Sequence, residues 1–128
     1  MKALILEDNS LKLSKVTRIL QNCGIKSVEY VTEQRSGLER IYNSIEKGEP
    51  FDLIVTDMHY PLEHGAIADE EAGQKLLEKL KQEEITIPVV VCSSLNFMLP
   101  QAFGTVWYNE LRDIEDDFRG IVQRLPRK

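Results

Sequence analysis

Short segments that would be apolar on both faces of a strand constrain the fold of this chain most. Examples are KALIL (residues 2–6), LIV (residues 53–55) and IPVVV (residues 87–91). A strand without a polar face must be covered on both sides, which is typical of interior strands of a parallel sheet between two layers of helices. Segments with the hydrophobic spacing of amphipathic helices separate them, so we predict an α/β fold.

The remaining hydrophobic patterns complete the predicted fold. Two further strands are expected at Ser27–Val31 and Thr105–Tyr108. Ser10 is the predicted cap of the first helix, and Gly24 is predicted to end that helix in the left-handed conformation. We predict a flavodoxin-like, doubly wound, five-stranded parallel sheet in the common order 2-1-3-4-5, with helices on both faces. The helical stripes run through Leu11–Leu20, Leu38–Ile45, Ala72–Leu80 and Ile114–Leu125.

Length and composition limit the classes to which the chain can belong. Its 128 residues suit one domain, which we expect to span residues 1–128. A net charge of −5 offers no basic surface for nucleic acid. No apolar run approaches the ~20 residues that are needed to cross a bilayer. Cys23 and Cys92 show no metal-binding or redox spacing, so we expect free thiols and a cytoplasmic location.

Acidic and hydroxyl side chains follow three of the predicted strands. Glu7 and Asp8 come after the first strand, Asp57 after the third and Ser93 after the fourth. Because the carboxyl ends of parallel strands share one edge of the sheet, the carboxylates are expected to converge, and their repulsion favours a bound cation. Oxygen donors with room for water suit Mg²⁺. Asp57 is then the natural nucleophile for a phosphoryl group, and the Ser93 hydroxyl can donate to a phosphoryl oxygen.

These strand-end motifs resemble those of a known family. MKALILEDN, FDLIVTDMHYP and IPVVVCSS are similar to the three motifs of response-regulator receiver domains, the phosphoacceptor modules of two-component phosphorelays. The resemblance implies that Asp57 accepts the phosphoryl group and that Ser93 is the switch hydroxyl. It also implies that Mg²⁺ is held by the side chains of Glu7, Asp8 and Asp57 and by the backbone carbonyl of His59.

The residues after the last predicted strand depart from the family pattern. Receivers usually carry a lysine there, whose ammonium pairs with the phosphoryl oxygens, but the stretch GTVWYNELRD contains none. Depending on the register, Asn109 or Glu110 stands in its place, and Arg112 is a third candidate. An asparagine would offer a neutral hydrogen bond, whereas a glutamate would repel the phosphoryl group.

Two loops also differ from the family pattern. Between the fourth and fifth strands, Pro100 interrupts a short segment, so we expect a shortened helix four of at most a turn or two. After the third strand, residues Gly65–Ala72 lengthen the loop beside the predicted crevice. This insertion is expected to be a lid, a docking element or a solvated loop.

The resemblance implies a signalling module rather than an enzyme that turns over a substrate. The expected partners are a sensor histidine kinase or phosphotransfer protein upstream and an unidentified protein downstream, with no direct nucleic-acid or membrane binding. Two alternatives stay open. A degenerate receiver would keep the fold and the acids but act as a protein-interaction scaffold without phosphorylation. A small metal-dependent phosphohydrolase would use Asp57 catalytically.

Overall fold

Strands and helices alternate along the chain, as the hydrophobic pattern predicts. The computed structural model describes residues 1–96 and 98–126, so the predicted domain span of 1–128 extends past the described residues. No helix in this described part is both long and apolar enough to cross a bilayer. The elements are β1 (Lys2–Leu6), α1 (Ser10–Asn22), β2 (Ser27–Val31), α2 (Gln34–Glu46), β3 (Leu53–Thr56), β4 (Tyr60–Pro61), β5 (Ala68–Asp69), α3 (Ala72–Gln82), β6 (Val89–Ser93), β7 (Gly104–Trp107) and α4 (Ile114–Gln123).

The main sheet has five parallel strands in the order β2-β1-β3-β6-β7. Because β4 and β5 pair only with each other, this is the predicted order 2-1-3-4-5. Leu6 lies opposite Thr56, and Thr56 lies opposite Val91. The residues that follow β1, β3 and β6 therefore leave the sheet side by side at one edge.

Helices cover both faces of the sheet, as predicted. One apolar cluster joins the sheet to α1 and α4 through residues such as Val16, and a second joins it to α2 and α3 through residues such as Ile41. Leu4 and Ile5 are neighbours in β1 but belong to opposite clusters. Since successive side chains of a strand point to opposite faces, burial on both sides requires apolar residues at every position.

The first helix differs from its prediction at its start. Its N-cap is Asn9 rather than Ser10, because the Asn9 side chain accepts a hydrogen bond of 3.0 Å from the Lys12 N–H. Leu11, predicted to be in the apolar stripe, is 81% exposed, whereas Lys12 is buried. The helix therefore turns a lysine toward the sheet. Its end is as predicted, with Gly24 at a φ of 98°.

The last two strands of the main sheet are shifted from their predicted positions. The fourth predicted strand began at Ile87, but β6 begins at Val89. Pro88 precedes it and has no N–H to donate to a ladder, although its carbonyl accepts from the Ile54 N–H at 2.9 Å. β7 begins and ends one residue earlier than predicted. β6 extends to Ser93, so the Ser93 hydroxyl lies at the end of the strand.

The segment between β6 and β7 forms a turn rather than a helix in the residues that the structure describes. Among residues 94–96 and 98–103, none is helical. The chain instead turns at Pro100, and the Ala102 N–H donates to the Leu99 carbonyl at 3.0 Å. The shortened helix four is thus reduced to a turn in the described residues.

The lengthened loop after β3 contains the small antiparallel ribbon of β4 and β5. Tyr60 pairs with Asp69, and Pro61 pairs with Ala68. Gly65 lies in the connecting turn at a φ of 79°, a conformation that glycine adopts without steric cost. The insertion is therefore built partly as a hairpin, and its role as a lid or docking element stays a prediction.

Candidate functional site

The carboxyl ends of β1, β3 and β6 open into a crevice of about 730 Å³. Glu7, Asp8, Asp57, His59 and Ser93 all line it. The structure therefore brings the predicted metal ligands, Asp57 and Ser93 to one crevice. The family roles of these residues, including the backbone carbonyl of His59 as a ligand, stay predictions.

Three carboxylates form the centre of the crevice. Glu7, Asp8 and Asp57 each offer an oxygen, and these oxygens all lie within 4.8 Å of one another. The sheet places them there, because the Asp57 N–H donates to the Leu6 carbonyl at 3.0 Å and the Glu7 N–H donates to the Val31 carbonyl at 3.1 Å. Each ladder therefore runs one residue past its strand. Oxygen donors at this spacing fit a hard divalent cation.

A lysine that the sequence analysis did not single out also belongs to this cluster. The Lys12 Nζ lies 2.9 Å from Glu7 Oε1 and 3.0 Å from Asp57 Oδ1, and it donates to the Cys92 carbonyl at 2.6 Å. Its side chain is only 8% exposed. The signal was present in the sequence, since Lys12 stands four residues before Val16, on the same face of α1.

Burial and charge shift the pKa values of this ion pair. Burial raises the pKa of Glu7 to about 7; the Lys12 ammonium acts against this shift and the Asp57 carboxylate adds to it. Burial alone would lower the pKa of Lys12, but Cys92, Asp57 and Glu7 together outweigh it, and the pKa is raised. Lys12 therefore stays a cation at neutral pH.

The two oxygens of Asp57 have different surroundings. Oδ1 accepts a hydrogen bond of 2.8 Å from the Met58 N–H and lies 3.0 Å from the Lys12 Nζ. No residue in the described part of the chain forms a hydrogen bond or ion pair with Oδ2. The Asp57 side chain is 14% exposed and faces the crevice. Oδ2 is therefore the oxygen with lone pairs free to react.

A buried network of hydrogen-bonded side chains contacts the backbone of Asp57. Thr56 Oγ1 lies 2.8 Å from the Asp57 carbonyl oxygen and 2.9 Å from Tyr60 Oη. Because a hydroxyl has one proton and a carbonyl oxygen only accepts, Thr56 donates to Asp57 and Tyr60 donates to Thr56. Gln34 Nε2 completes the chain by donating to Tyr60 Oη at 3.1 Å and to the Ala72 carbonyl at 2.8 Å. The network ties α2 and α3 to the backbone of Asp57.

The Ser93 hydroxyl accepts one hydrogen bond and can still donate another. Its oxygen accepts a bond of 3.2 Å from the Leu95 N–H, and the Ser93 carbonyl accepts from the Tyr108 N–H at 2.7 Å. Accepting a bond leaves the hydroxyl proton available. Ser93 is 5% exposed and lines the crevice, so this proton can serve a ligand there.

Two of the three candidates for the missing lysine are engaged elsewhere. The Asn109 side chain accepts from the Leu111 N–H at 2.9 Å. Arg112 forms an ion pair of 2.8 Å with Asp117 and donates to the Trp107 carbonyl at 2.8 Å. Glu110 does line the crevice, but it adds negative charge there. The ammonium beside Asp57 comes from α1 instead.

Comparisons with known proteins identify the fold. No family model and no curated protein matches the sequence. A receiver-domain protein from Clostridium thermocellum is 19% identical, with a TM-score of 0.69 and coverage of 95% of this chain and 90% of that one. The Mn²⁺-bound response regulator Rcp1 is 16% identical, with a TM-score of 0.69 and coverage of 98% and 99%. The receiver domain of the histidine kinase CKI1 from Arabidopsis thaliana, complexed with Mg²⁺ and BeF₃⁻, is 18% identical, with a TM-score of 0.61 and coverage of 96% and 90%.

These likenesses define the class of fold. The chain has the flavodoxin-like fold of response-regulator receiver domains, with the hydrogen-bonded ribbon of β4 and β5 after the third strand of the sheet and a turn in place of helix four in the described residues.

Proposed function

We propose that this chain is the phosphoacceptor module of a two-component system, and that it accepts a phosphoryl group on Asp57 and signals through protein contacts. One observation carries the proposal. Asp57 follows the central strand into a crevice where Glu7 and Asp8 offer oxygens within 4.8 Å, and no described residue forms a hydrogen bond or ion pair with its Oδ2. Metal-assisted phosphoryl transfer to a carboxylate requires this combination of groups.

The residues that would hold the cation are the side chains of Glu7, Asp8 and Asp57 and the backbone carbonyl of His59. Mg²⁺ is the proposed ion, because all these donors are oxygens and the open crevice leaves room for the waters that Mg²⁺ keeps. When bound, the cation neutralises charge on the carboxylates and on the incoming phosphoryl group.

Asp57 Oδ2 attacks the phosphorus atom, and the bond from phosphorus to the donor breaks with its electron pair leaving on the donor. The Ser93 hydroxyl donates to a phosphoryl oxygen as charge builds there. Water later hydrolyses the acyl phosphate. The proposed donor is a sensor histidine kinase or a phosphotransfer protein, and the output partner is a protein. Both cysteines are free thiols, which agrees with a reducing cytoplasm.

Incubation with acetyl phosphate and Mg²⁺, followed by intact-protein mass spectrometry, tests this function. We expect the mass of one phosphoryl group to be added to the wild-type chain and to Asp116→Asn, whose side chain is mostly exposed. Asp57→Asn should gain nothing. A wild-type chain that gains no mass at saturating acetyl phosphate and Mg²⁺ would refute the proposal. Release of phosphate over many turnovers of a phosphoester would indicate a phosphohydrolase.

A second function is supported by the Lys12 ammonium. It already places a positive charge between Glu7 and Asp57, so the site does not need a metal ion to relieve the repulsion between them. A scaffold that never becomes phosphorylated would be stable with this arrangement. The same experiment separates the two functions, because the scaffold would show no mass gain.

A further inference from the structure

The positive charge in the crevice comes from an unexpected element. Lys12 is the one lysine or arginine among the described residues that line the crevice, and it belongs to the first turn of α1. The three donors of an ammonium match the three acceptors around it, which are Glu7 Oε1, Asp57 Oδ1 and the Cys92 carbonyl. Glu7 and Asp57 directly follow β1 and β3, and Cys92 is the last residue but one of β6, so the ammonium joins the carboxyl ends of three strands.

We propose that Lys12 is the permanent positive charge of this site and supplies from α1 the charge that receivers carry after the last strand. Its ammonium also competes with the divalent cation for Glu7 and Asp57. The inference rests on the proposed function for its effect on phosphoryl transfer. Its effect on metal binding does not depend on that function.

The effect on transfer follows from the two oxygens of Asp57. In the resting protein the ammonium is bound to Oδ1, which leaves Oδ2 to attack. As the bond from Oδ2 to phosphorus forms, the bond from phosphorus to the acetate oxygen of acetyl phosphate breaks, and acetate leaves with the electron pair. Oδ1 then becomes a carbonyl oxygen with little charge, and the ammonium is released to pair with the phosphoryl oxygens. Lys12 keeps its protons throughout.

The effect on metal binding follows from the shared carboxylates. Glu7 and Asp57 are two of the three carboxylates that converge in the crevice, and both also bind the ammonium. A divalent cation must therefore share them with a like charge, which lowers its affinity. Removal of the ammonium leaves three carboxylates without a resident positive charge. Metal affinity should rise, while phosphoryl transfer should become slower.

Opposite changes in two measurements test the proposal. Lys12→Met keeps most of the side-chain volume without the charge. Lys15→Met is the matched control, because Lys15 is on the same helix and its ammonium also lies over the Tyr108 ring, at 5.5 Å against 5.4 Å for Lys12. We measure Mn²⁺ affinity by the electron paramagnetic resonance of free Mn²⁺, and the rate of mass gain with acetyl phosphate at saturating Mg²⁺.

For Lys12→Met we expect a Mn²⁺ affinity about tenfold higher and a phosphorylation rate about a hundredfold lower. Lys15→Met should match the wild type in both. Weaker Mn²⁺ binding in a folded Lys12→Met chain would show a structural role only and would overturn the proposal, as would unchanged values in both measurements. If circular dichroism shows that Lys12→Met is unfolded, Lys12→Gln, which keeps a donor for the Cys92 carbonyl, gives the same decision.

The two proposals can fail separately. A wild-type chain that accepts no phosphoryl group refutes the proposed function, whereas the Mn²⁺ affinities still decide whether Lys12 competes with a cation. If the wild type is phosphorylated and Lys12→Met matches it in both phosphorylation rate and Mn²⁺ affinity, the proposed function is supported and the role of Lys12 is overturned.

Discussion

The backbone of Gly73 lies so close to the backbone of Asp57 that a side chain at this position would force a shift. A Cβ on Gly73 would lie 2.6 Å from the Asp57 carbonyl oxygen and 3.0 Å from the Met58 Cα. The Gly73 N–H donates to the Met58 carbonyl at 3.1 Å. The start of α3 therefore fixes the turn that carries the Asp57 carboxylate, and the spacing depends on a hydrogen atom in place of a side chain at Gly73.

Gly73→Ala should destabilise the protein and disturb the site. Because the clash is with backbone atoms, we expect the free energy of unfolding to fall by about 1–3 kcal/mol, with slower phosphorylation of Asp57. Urea denaturation followed by circular dichroism measures the first effect. Gly120→Ala in α4 is the control, since no atom lies within 4 Å of its added Cβ, and it should be neutral or stabilising by up to about 1 kcal/mol. Equal stabilities of the two variants would contradict the close approach.

Tyr60→Phe should weaken the buried chain beneath Asp57. It removes the hydroxyl that lies 2.9 Å from Thr56 Oγ1 and 3.1 Å from Gln34 Nε2, so we expect a loss of about 1–2 kcal/mol in the free energy of unfolding. Tyr30→Phe, at a tyrosine that is 55% exposed, should stay within about 0.5 kcal/mol of the wild type. Urea titrations of the wild type and both variants provide the measurement. A Tyr60→Phe variant as stable as the wild type would show that these buried hydrogen bonds contribute no stability.

Glu7 should make stability decrease with pH in the weakly acidic range. Its pKa in the folded protein is raised to about 7 from the ordinary 4.5, mainly by burial. The folded state therefore binds more protons than the unfolded state between these values, and its free energy of unfolding falls as pH rises from about 4.5 to about 7. Glu7→Gln lacks this component.

The free energy of unfolding of the wild type, relative to that of Glu7→Gln, should therefore decrease as the pH rises from about 4.5 to about 7. Urea denaturation at several pH values, without divalent cations, isolates the effect because other titrating groups are common to both chains. A difference that stays constant with pH would show that the Glu7 carboxyl is not shifted.

The two thiols should differ in reactivity. Burial raises the pKa of Cys92 to about 12, and burial also raises the pKa of the less buried Cys23. At pH 8 we expect iodoacetamide to modify Cys23 slowly and Cys92 only in urea, as counted by mass spectrometry. Cys23→Ser should therefore gain no label in the folded state. Rapid labelling of that variant would mean that the end of β6 opens readily.

Local patterns in the sequence were enough to predict the sheet and the residues at its edge. The strands are short and apolar, and the acids follow them directly, so the fold brings Glu7, Asp57 and Ser93 together once the strand order is set. Chain-local signals also predicted the end of α1 at Gly24. The boundaries of β6 were less well predicted, because the Ile87 pattern continues through Pro88, which cannot donate to a ladder.

The four-residue spacing from Val16 places Lys12 on the buried face of α1, but spacing alone gives no reason for a lysine to be buried while Leu11 is exposed. Leu11 is the more apolar residue, but the helix buries Lys12. A buried ammonium is stable only if charged and polar partners surround it, and here they are Glu7, Asp57 and the Cys92 carbonyl, which lie far apart in sequence.

The sequence by itself determined the α/β fold and the acids at the sheet edge, because hydrophobic period and strand-end position are local properties of the chain. Only the tertiary structure decided where the positive charge of the crevice originates. The free energy of a buried charge depends on groups that three separate strands bring within hydrogen-bonding distance, and the chain has no such arrangement until it folds.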